Sequence, residues 1–334
     1  MHNKIIKIKK FLYPIRDESP FIIILFAIGI LFPFYTDNYF YIEVAKTAAI
    51  YAIFVISWDI LSGYTHEINL GYAFFVGGAG YLSALFNVYL SLPVFASILF
   101  ASFSAGIFGI LIGYLTLRSK GPYFAMVTLV FASILFTSSF IFTGVTGGEE
   151  GISGLDCLTD DPLKDFLIIW LVLLVSYFIL RIYSRSRHGI ILKAIRADED
   201  ATKSAGINTS FYKIEAFALS ATLGGAGGGL FAHAQMHIGP TMLSAEISII
   251  VLLMTTIGGM GSIVGPFWVA IILSIFNEWL RIVEEYRLVL YTGILILLLY
   301  LSPDGLINSK FIKNSRITSY LFKGKTNSDE YFGS

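Results

Sequence analysis

The sequence is short of charged residues and contains a single cysteine. Asp, Glu, Lys and Arg make up 14% of its 334 residues, whereas soluble globular domains carry about 25%. A chain of this size with so little charge cannot cover its surface with groups that water solvates, which indicates a multi-pass membrane protein. The lone Cys157 excludes an intramolecular disulfide and any metal site built from several cysteines.

The sequence also lacks a recognisable nucleotide site or catalytic set. The GKT at 324–326 resembles the end of a phosphate-binding loop, but Ser319 stands where the first glycine belongs. His233 and His237 are four residues apart on one expected helix face, and without a third ligand they are better interpreted as the interfacial end of a span. We therefore expect no enzymatic activity, no metal and no cofactor bound by this chain.

Long apolar stretches are abundant. Ten of them reach, or approach, the 17–25 residues that a membrane span needs, which is a range of about 25–38 Å of helix. They lie at residues 21–35, 43–61, 70–86, 93–117, 123–143, 166–182, 212–236, 247–259, 263–280 and 288–301. The eighth is short and ends in glycines, so it is either a span or a re-entrant segment. The prediction is an all-α polytopic membrane protein of about ten helices.

The distribution of lysine and arginine predicts the orientation of this bundle. If the N-terminus is cytoplasmic and ten spans alternate, most of the 23 Lys and Arg residues fall on the cytoplasmic side, whereas the loop at 144–165 is acidic. Both termini are therefore predicted to be cytoplasmic. The expected organisation is a basic segment at 1–20, a membrane domain at 21–302 and a basic tail at 303–334.

Ionisable residues within the spans are few and lie near the span ends. Glu43 and Lys46 are close enough in sequence to pair, Asp59 is near the inner end of its span, and Glu215 begins another. We interpret most of them as solvated interfacial groups, which disfavours coupling to a proton or sodium gradient. A pathway through the bundle would then be lined by small and apolar side chains and would suit a solute with an aliphatic part.

The longest polar interior stretch is predicted to be a cytoplasmic loop, at 184–211, that contains its own short helix. Asp198 is suited to the N-cap, Glu199 and Asp200 lie in the first turn, and Gly206 is suited to the C′ position. A capped helix in a basic loop between two spans has the right form to dock on a soluble partner.

The same loop resembles a known family. Residues 200–206, Asp-Ala-Thr-x-x-x-Gly, are similar to the Glu-Ala-Ala-x-x-x-Gly signature of permeases in ATP-binding cassette (ABC) importers. Other segments resemble the permeases of branched-chain amino acid importers of the LivM type, over roughly 45–307. These segments are GPYFAMVTL at 121–129, TGG at 146–148, KAIRADE at 193–199, AGIN at 205–208, IGGMGS at 257–262 and PDGL at 303–306.

The resemblance implies one subunit of a larger importer in a bacterial inner membrane. Two similar permeases, this one and a LivH-like partner, would form the pathway within the lipid bilayer. Two ABC ATPase subunits would use ATP and Mg²⁺, and an extracytoplasmic binding protein would deliver the solute; no nucleic acid is implied. The helix between spans six and seven would couple to the ATPases. The coupling residues would be Arg196, Asp198, Glu199, Asp200, Ala201, Thr202 and Gly206.

The start of the third span departs from the family's pattern. The family usually has Gly-Gln, an apolar residue and then Ser-Leu-Gly, whereas this chain has His66-Glu67 and Asn69. Because this span is a candidate pathway helix, the solute stays open between branched-chain amino acids and urea or short amides. A channel or secondary carrier that acts alone is the alternative outside this class. The candidate pathway residues are Glu67, Asn69, Gly71, Gly77, Gly78, Thr128, Gly258 and Gly259.

Overall fold

The computed structural model describes residues 39–116 and 121–280, together with positions 29, 293 and 296. Apart from those three positions, the predicted first and tenth spans lie outside the described residues. The two terminal segments predicted to be cytoplasmic lie outside them as well.

The described chain is mostly helical. In chain order the helices are α1 (Tyr39–Thr65), α2 (Tyr72–Leu90), α3 (Val94–Thr116), α4 (Pro122–Ile141), α5 (Thr143–Thr146), α6 (Pro162–Arg185), α7 (Arg187–Ala197), α8 (Glu199–Ser204), α9 (Thr209–Gln235), α10 (Ala245–Gly258) and α11 (Val264–Trp279). Within these residues six helices are long and apolar enough to cross a membrane, namely α1 to α4, α6 and α9. The shorter α10 and α11 are apolar too.

Each of the second to ninth predicted spans corresponds to a described helix, with ends that differ by a few residues. Local chemistry explains one shift: α6 begins at Pro162 because the Asp161 side chain accepts a hydrogen bond from the Leu163 N–H (3.0 Å). The 14 residues of α10 are about 21 Å long, which is shorter than the hydrocarbon core of about 30 Å. The total of ten spans and the cytoplasmic termini stay predictions.

One short antiparallel ladder departs from the expected all-α fold. The two-residue strand β1 (Ile152–Ser153) pairs with β2 (His237–Ile238), and Ile152 lies opposite Ile238. Both isoleucines are buried. The ladder therefore ties the segment between α4 and α6 to the end of α9.

Close glycine packing holds α9 against its neighbours. This helix packs on α1, α2 and α3. A Cβ on Gly228 would overlap the backbone O of Val76 in α2, and one on Gly225 would lie 2.7 Å from the Cβ of Ala105 in α3. The glycines of α9 therefore let its backbone approach those of its neighbours closely.

The bundle has two ends, which are named here by what they carry. The loop end carries α7 and α8, the C-terminus of α1, the N-termini of α2, α4 and α9, and the break between α10 and α11. The opposite end carries α5 and the β1–β2 ladder. Every sequence-predicted coupling residue lies at the loop end.

Candidate functional site

The loop end contains two helices where the sequence predicts one. Because α6 and α9 extend into the predicted loop, only residues 186–208 separate them, and α7 and α8 occupy most of these. Asp198 is the N-cap of α8, where its side chain accepts the Ala201 N–H at 2.9 Å. Gly206 follows with φ +81°. The predicted short helix, its cap and its glycine stop are confirmed.

The helix α8 has an exposed side and a side that packs on the bundle. Asp200, Ala201 and Ser204 are exposed, whereas Thr202 is only 6% exposed and its hydroxyl donates to the Asp198 carbonyl at 2.8 Å. Of the two departures from the family signature, Asp200 is therefore on the outer side and Thr202 on the inner side. A docking partner would meet the first and not the second.

A buried lysine connects α8 to the rest of the bundle. Lys213 lies in the first turns of α9 and is 2% exposed. Its Nζ donates to Glu67 Oε1 and to Glu199 Oε2, at 2.8 Å each. Glu67 lies in the connection between α1 and α2 and is 5% exposed. We call Lys213, Glu67 and Glu199 the Lys213 cluster.

Both carboxylates of this cluster have further partners. The second oxygen of Glu67 accepts the backbone N–H of Gly121, the residue before α4, at 3.4 Å. Glu199 also pairs with Lys203 at 2.9 Å and accepts the Thr209 hydroxyl at 3.2 Å. The Lys213 cluster therefore joins α8, α9, the α1–α2 connection and the start of α4.

The charge state of Glu199 follows from these contacts. Burial by itself would raise the pKa of Glu199, but the hydrogen bonds and charges of Lys213 and Lys203 outweigh it and lower the pKa to about 2. A depressed carboxyl pKa stabilises the fold above the ordinary pKa of 4.5, and that contribution is lost as the pH falls towards 2. Glu199 is consequently ionised throughout the physiological range.

A second connection starts from α7. Arg196 Nη1 donates to the backbone oxygen of Gly63 in α1 and, at 3.0 Å, to that of Met260 in the break between α10 and α11. Gly261, at φ +83°, has no room for a Cβ, because that atom would overlap the Arg196 guanidinium. The arginine thus holds the ends of three helices together.

The same break is held from the other side by Asp59. This carboxylate is fully buried and accepts the backbone N–H groups of Gly261 (2.7 Å) and Ile263 (3.0 Å). The prediction that Asp59 is a solvated interfacial group is therefore wrong. The sequence shows how deep a residue lies along one helix but not which backbone folds over it. The predicted Glu43–Lys46 pair is confirmed at 2.5 Å.

Three of the predicted pathway residues, Glu67, Asn69 and Gly71, form the turn into α2, and a fourth, Thr128 in α4, contacts this turn. The Asn69 side chain accepts the Gly71 N–H at 2.9 Å, and a Cβ on Gly71 would overlap the Thr128 carbonyl. Thr128 Oγ1 also accepts the Leu70 N–H at 3.2 Å. These residues fix the position of α2 against α4.

The other four predicted pathway residues are dispersed. Gly77 packs against the backbone of Met242, and Gly258 against that of Pro266. Gly259, at φ +94°, ends α10. Of the eight predicted pathway residues, all within the described chain, Gly78 is the one that lines the apolar cavity between α2, α3 and α4.

That cavity has a volume of about 450 Å³. Its walls are largely aliphatic and aromatic, and they include Phe74, Leu82, Leu85, Phe108, Leu135 and Phe142. The hydroxyls of Ser139 and Thr146 at its edge donate to main-chain carbonyls of α4. The space therefore suits an aliphatic group better than a charged one.

The two histidines at the end of α9 do not share a helix face. Because α9 ends at Gln235, His237 lies in β2 and is exposed, whereas His233 is fully buried. The His233 ring bonds the Ser83 hydroxyl (3.0 Å) and the Asp156 carbonyl (2.8 Å). The span does end beside these histidines, as interpreted from the sequence, but His233 is buried inside the bundle and not exposed at the surface.

Comparison with known proteins places the chain in a family. The family model described as "Branched-chain amino acid transport system / permease component" matches residues 40–299. The chain belongs to this permease family. No solved structure gives a significant match.

Several curated relatives of this permease carry similar descriptions. The high-affinity branched-chain amino acid transport system permease proteins LivM of Escherichia coli K12 and of Salmonella typhimurium are each 29% identical to it, over 89% of this chain and 78% of theirs. A probable branched-chain amino acid transport permease protein LivM of Methanocaldococcus jannaschii is 22% identical, over 72% of this chain and 78% of that protein. The family is one of transport permeases and not of enzymes. The apolar helices of this chain make it a multi-pass membrane protein.

Two residues of this permease that are central to the loop end are not apparent from the sequence. Lys213 lies just beyond the predicted loop at 184–211, in the first turns of an apolar helix. Gly63 was not singled out at all. The available signal was Glu67, an acidic residue where the family usually has glutamine, because a buried carboxylate needs a cation.

Proposed function

We propose that this permease is the membrane subunit of an ATP-driven importer for branched-chain amino acids in a bacterial inner membrane. The observation that carries the proposal is α8. This helix is capped at Asp198, exposed along Asp200, Ala201 and Ser204, and anchored to the bundle on its other side through Glu199. A helix that is held from inside and exposed outside is suited to receive force from a soluble subunit.

The partners follow from what the chain does not supply. Its sequence carries no phosphate-binding loop, so ATP and Mg²⁺ belong to two ABC ATPase subunits that dock on α8. A LivH-like second permease completes the pathway, and an extracytoplasmic binding protein delivers the solute. ATP drives transport only if it stabilises one access state of the permeases over the other.

Branched-chain amino acids are the solute class that the observations favour. The relatives are described as permeases for this class, and the cavity of about 450 Å³ has aliphatic and aromatic walls. His66, Glu67 and Asn69, the departures that left urea and short amides open, do not line this cavity. They form the turn into α2, so they give no support to a different solute.

Reconstitution tests the proposal. The permease, a LivH-like partner, the ATPases and the binding protein are placed in proteoliposomes, and leucine uptake is measured with ATP, without ATP and with competitors. We expect uptake that requires ATP and every subunit, and competition by isoleucine and valine but not by urea. If this chain alone moves leucine at the same rate without ATP, it is a channel or a secondary carrier and the proposal is wrong.

A further inference from the structure

The Lys213 cluster is an unusual arrangement of buried charges. Glu67 and Lys213 are 146 residues apart in sequence, and both side chains are less than a tenth exposed. Taking such groups out of water is costly unless each is paired and hydrogen-bonded. Here Lys213 is paired with both carboxylates and Glu199 is paired with Lys203 as well, so every charge of the cluster has a partner.

The double pairing of Lys213 has a geometric consequence. A lysine with one carboxylate partner would connect only two elements. With two partners, Lys213 connects α8 through Glu199 and the α1–α2 connection through Glu67. From Glu67 the connection continues to the N–H of Gly121 at the start of α4. This series of contacts runs from the exposed helix to two of the helices that line the apolar cavity.

The other contacts between α8 and α9 are weaker. The hydroxyl of Thr209 bonds Glu199 at 3.2 Å, and a neutral donor contributes less than a charged one. Among the contacts between α8 and α9, a displacement of α8 would therefore be carried mainly through the ammonium of Lys213. Its position on α9 means that the displacement also reaches the helix that packs on α1, α2 and α3.

We infer that Lys213 is a positioning residue for transport. It transmits the movement of α8 to the start of α2 and of α4, and in this way it couples ATP hydrolysis to solute movement. The inference rests on the proposed function and adds to it the residue that joins the docking helix to the pathway helices. It assigns Glu67 and Glu199 as the two contacts through which Lys213 acts.

Substitution of either carboxylate tests this inference. Glu67→Ala and Glu199→Ala each leave Lys213 with one carboxylate partner, so its buried charge stays paired and we expect the fold to be retained. In the reconstituted complex we expect near wild-type ATP hydrolysis stimulated by the loaded binding protein, while leucine uptake per ATP falls about tenfold or more in both variants.

Two further variants separate coupling from stability. Glu67→Gln keeps an oxygen that can accept from Lys213 and should restore the uptake per ATP to within about twofold of wild type. Glu215→Ala is the matched control, because Glu215 pairs with His188 at 2.7 Å between α9 and α7 outside the cluster. In this variant leucine uptake per ATP hydrolysed should be unchanged.

Each outcome decides the inference. A wild-type ratio of leucine uptake to ATP hydrolysis in Glu67→Ala or in Glu199→Ala overturns the inference. It is also overturned if hydrolysis and uptake fall in parallel and Glu67→Gln shows the same loss. If Glu67→Ala fails to assemble, the ratio in Glu199→Ala decides alone. If the wild-type complex shows no ATP-dependent uptake, the proposed function fails, which is a different result from an intact ratio in the variants.

Discussion

At the scale of single residues, His66 shows how the loop end is held under strain. Its φ is +66° and its side chain is exposed. A residue with a Cβ in this left-handed region costs about 1–2 kcal/mol, which explains why the family usually has glycine here. The neighbours Glu67 and Asn69 are both buried. The turn is therefore fixed by its neighbours, and the histidine adopts the backbone that they require.

This strain predicts an inverted order of two substitutions. The free energy of unfolding of the His66→Gly variant should exceed that of the His66→Ala variant by about 1 kcal/mol, because alanine keeps the Cβ that the left-handed backbone disfavours. Thermal unfolding of the purified permease in detergent measures the difference.

An exposed helical serine supplies the comparison for His66. At Ser133, within α4, glycine should be less stable than alanine by about 0.5–1 kcal/mol. If alanine is the more stable substitution at both positions, His66 is not strained and the account of the turn is wrong.

Residue-level prediction worked where the determinants are local. The cap at Asp198 and the stop at Gly206 each depend on a few neighbouring residues, and both were predicted correctly. The contacts of Lys213, Asp59 and His233 depend on which distant segments fold beside them. Hydropathy places such a residue near the end of a span and cannot show whether water or another backbone reaches it.

At the scale of elements, α8 is the helix whose form is most sensitive to one residue. Gly206 has φ +81°, which proline cannot adopt because its ring fixes φ near −65°. Gly206→Pro should therefore distort the end of α8 and abolish co-purification of the ATPase, while insertion of the permease into the membrane is unaffected. Asp200→Lys should have the same effect through charge reversal on the exposed side.

A glycine at the opposite end provides the control for Gly206. Gly154 also has φ +81°, and a Cβ there would have nothing within 4 Å. Gly154→Pro should thus disturb the backbone to a similar extent but leave the ATPase bound. Normal co-purification with Gly206→Pro, or loss with both variants, would show that α8 is not the docking helix.

The two short helices α10 and α11 illustrate what element prediction left open. The glycines within 258–261 predicted that the helix is interrupted, and α10 does end there, at Gly258. What the sequence could not show is that Asp59 and Arg196 bind the break from two sides. The two alternatives for α10, a full span and a re-entrant segment, both stay predictions. Its length of about 21 Å is less than the thickness of the hydrocarbon core, about 30 Å.

At the scale of the whole molecule, the proposals depend on which end of the bundle faces the cytoplasm. The family and the helical bundle followed from the sequence, because motif order and hydropathy are properties of the chain itself. Orientation was predicted only from the distribution of Lys and Arg. The structure contributes one constraint: α8 and the Lys213 cluster share one end, and Cys157 lies in the segment between α5 and α6 at the other.

The single cysteine makes this orientation measurable. Cys157 is partly exposed, so a membrane-impermeant maleimide should label it in right-side-out spheroplasts. In the double variant Cys157→Ser/Ser204→Cys the only thiol lies on the exposed side of α8, and labelling should require permeabilisation. Cys157→Ser alone, which has no thiol, gives the background. Because ATP is cytoplasmic, the opposite labelling pattern would place α8 out of reach of any ATPase and would overturn the importer proposal together with the role of Lys213.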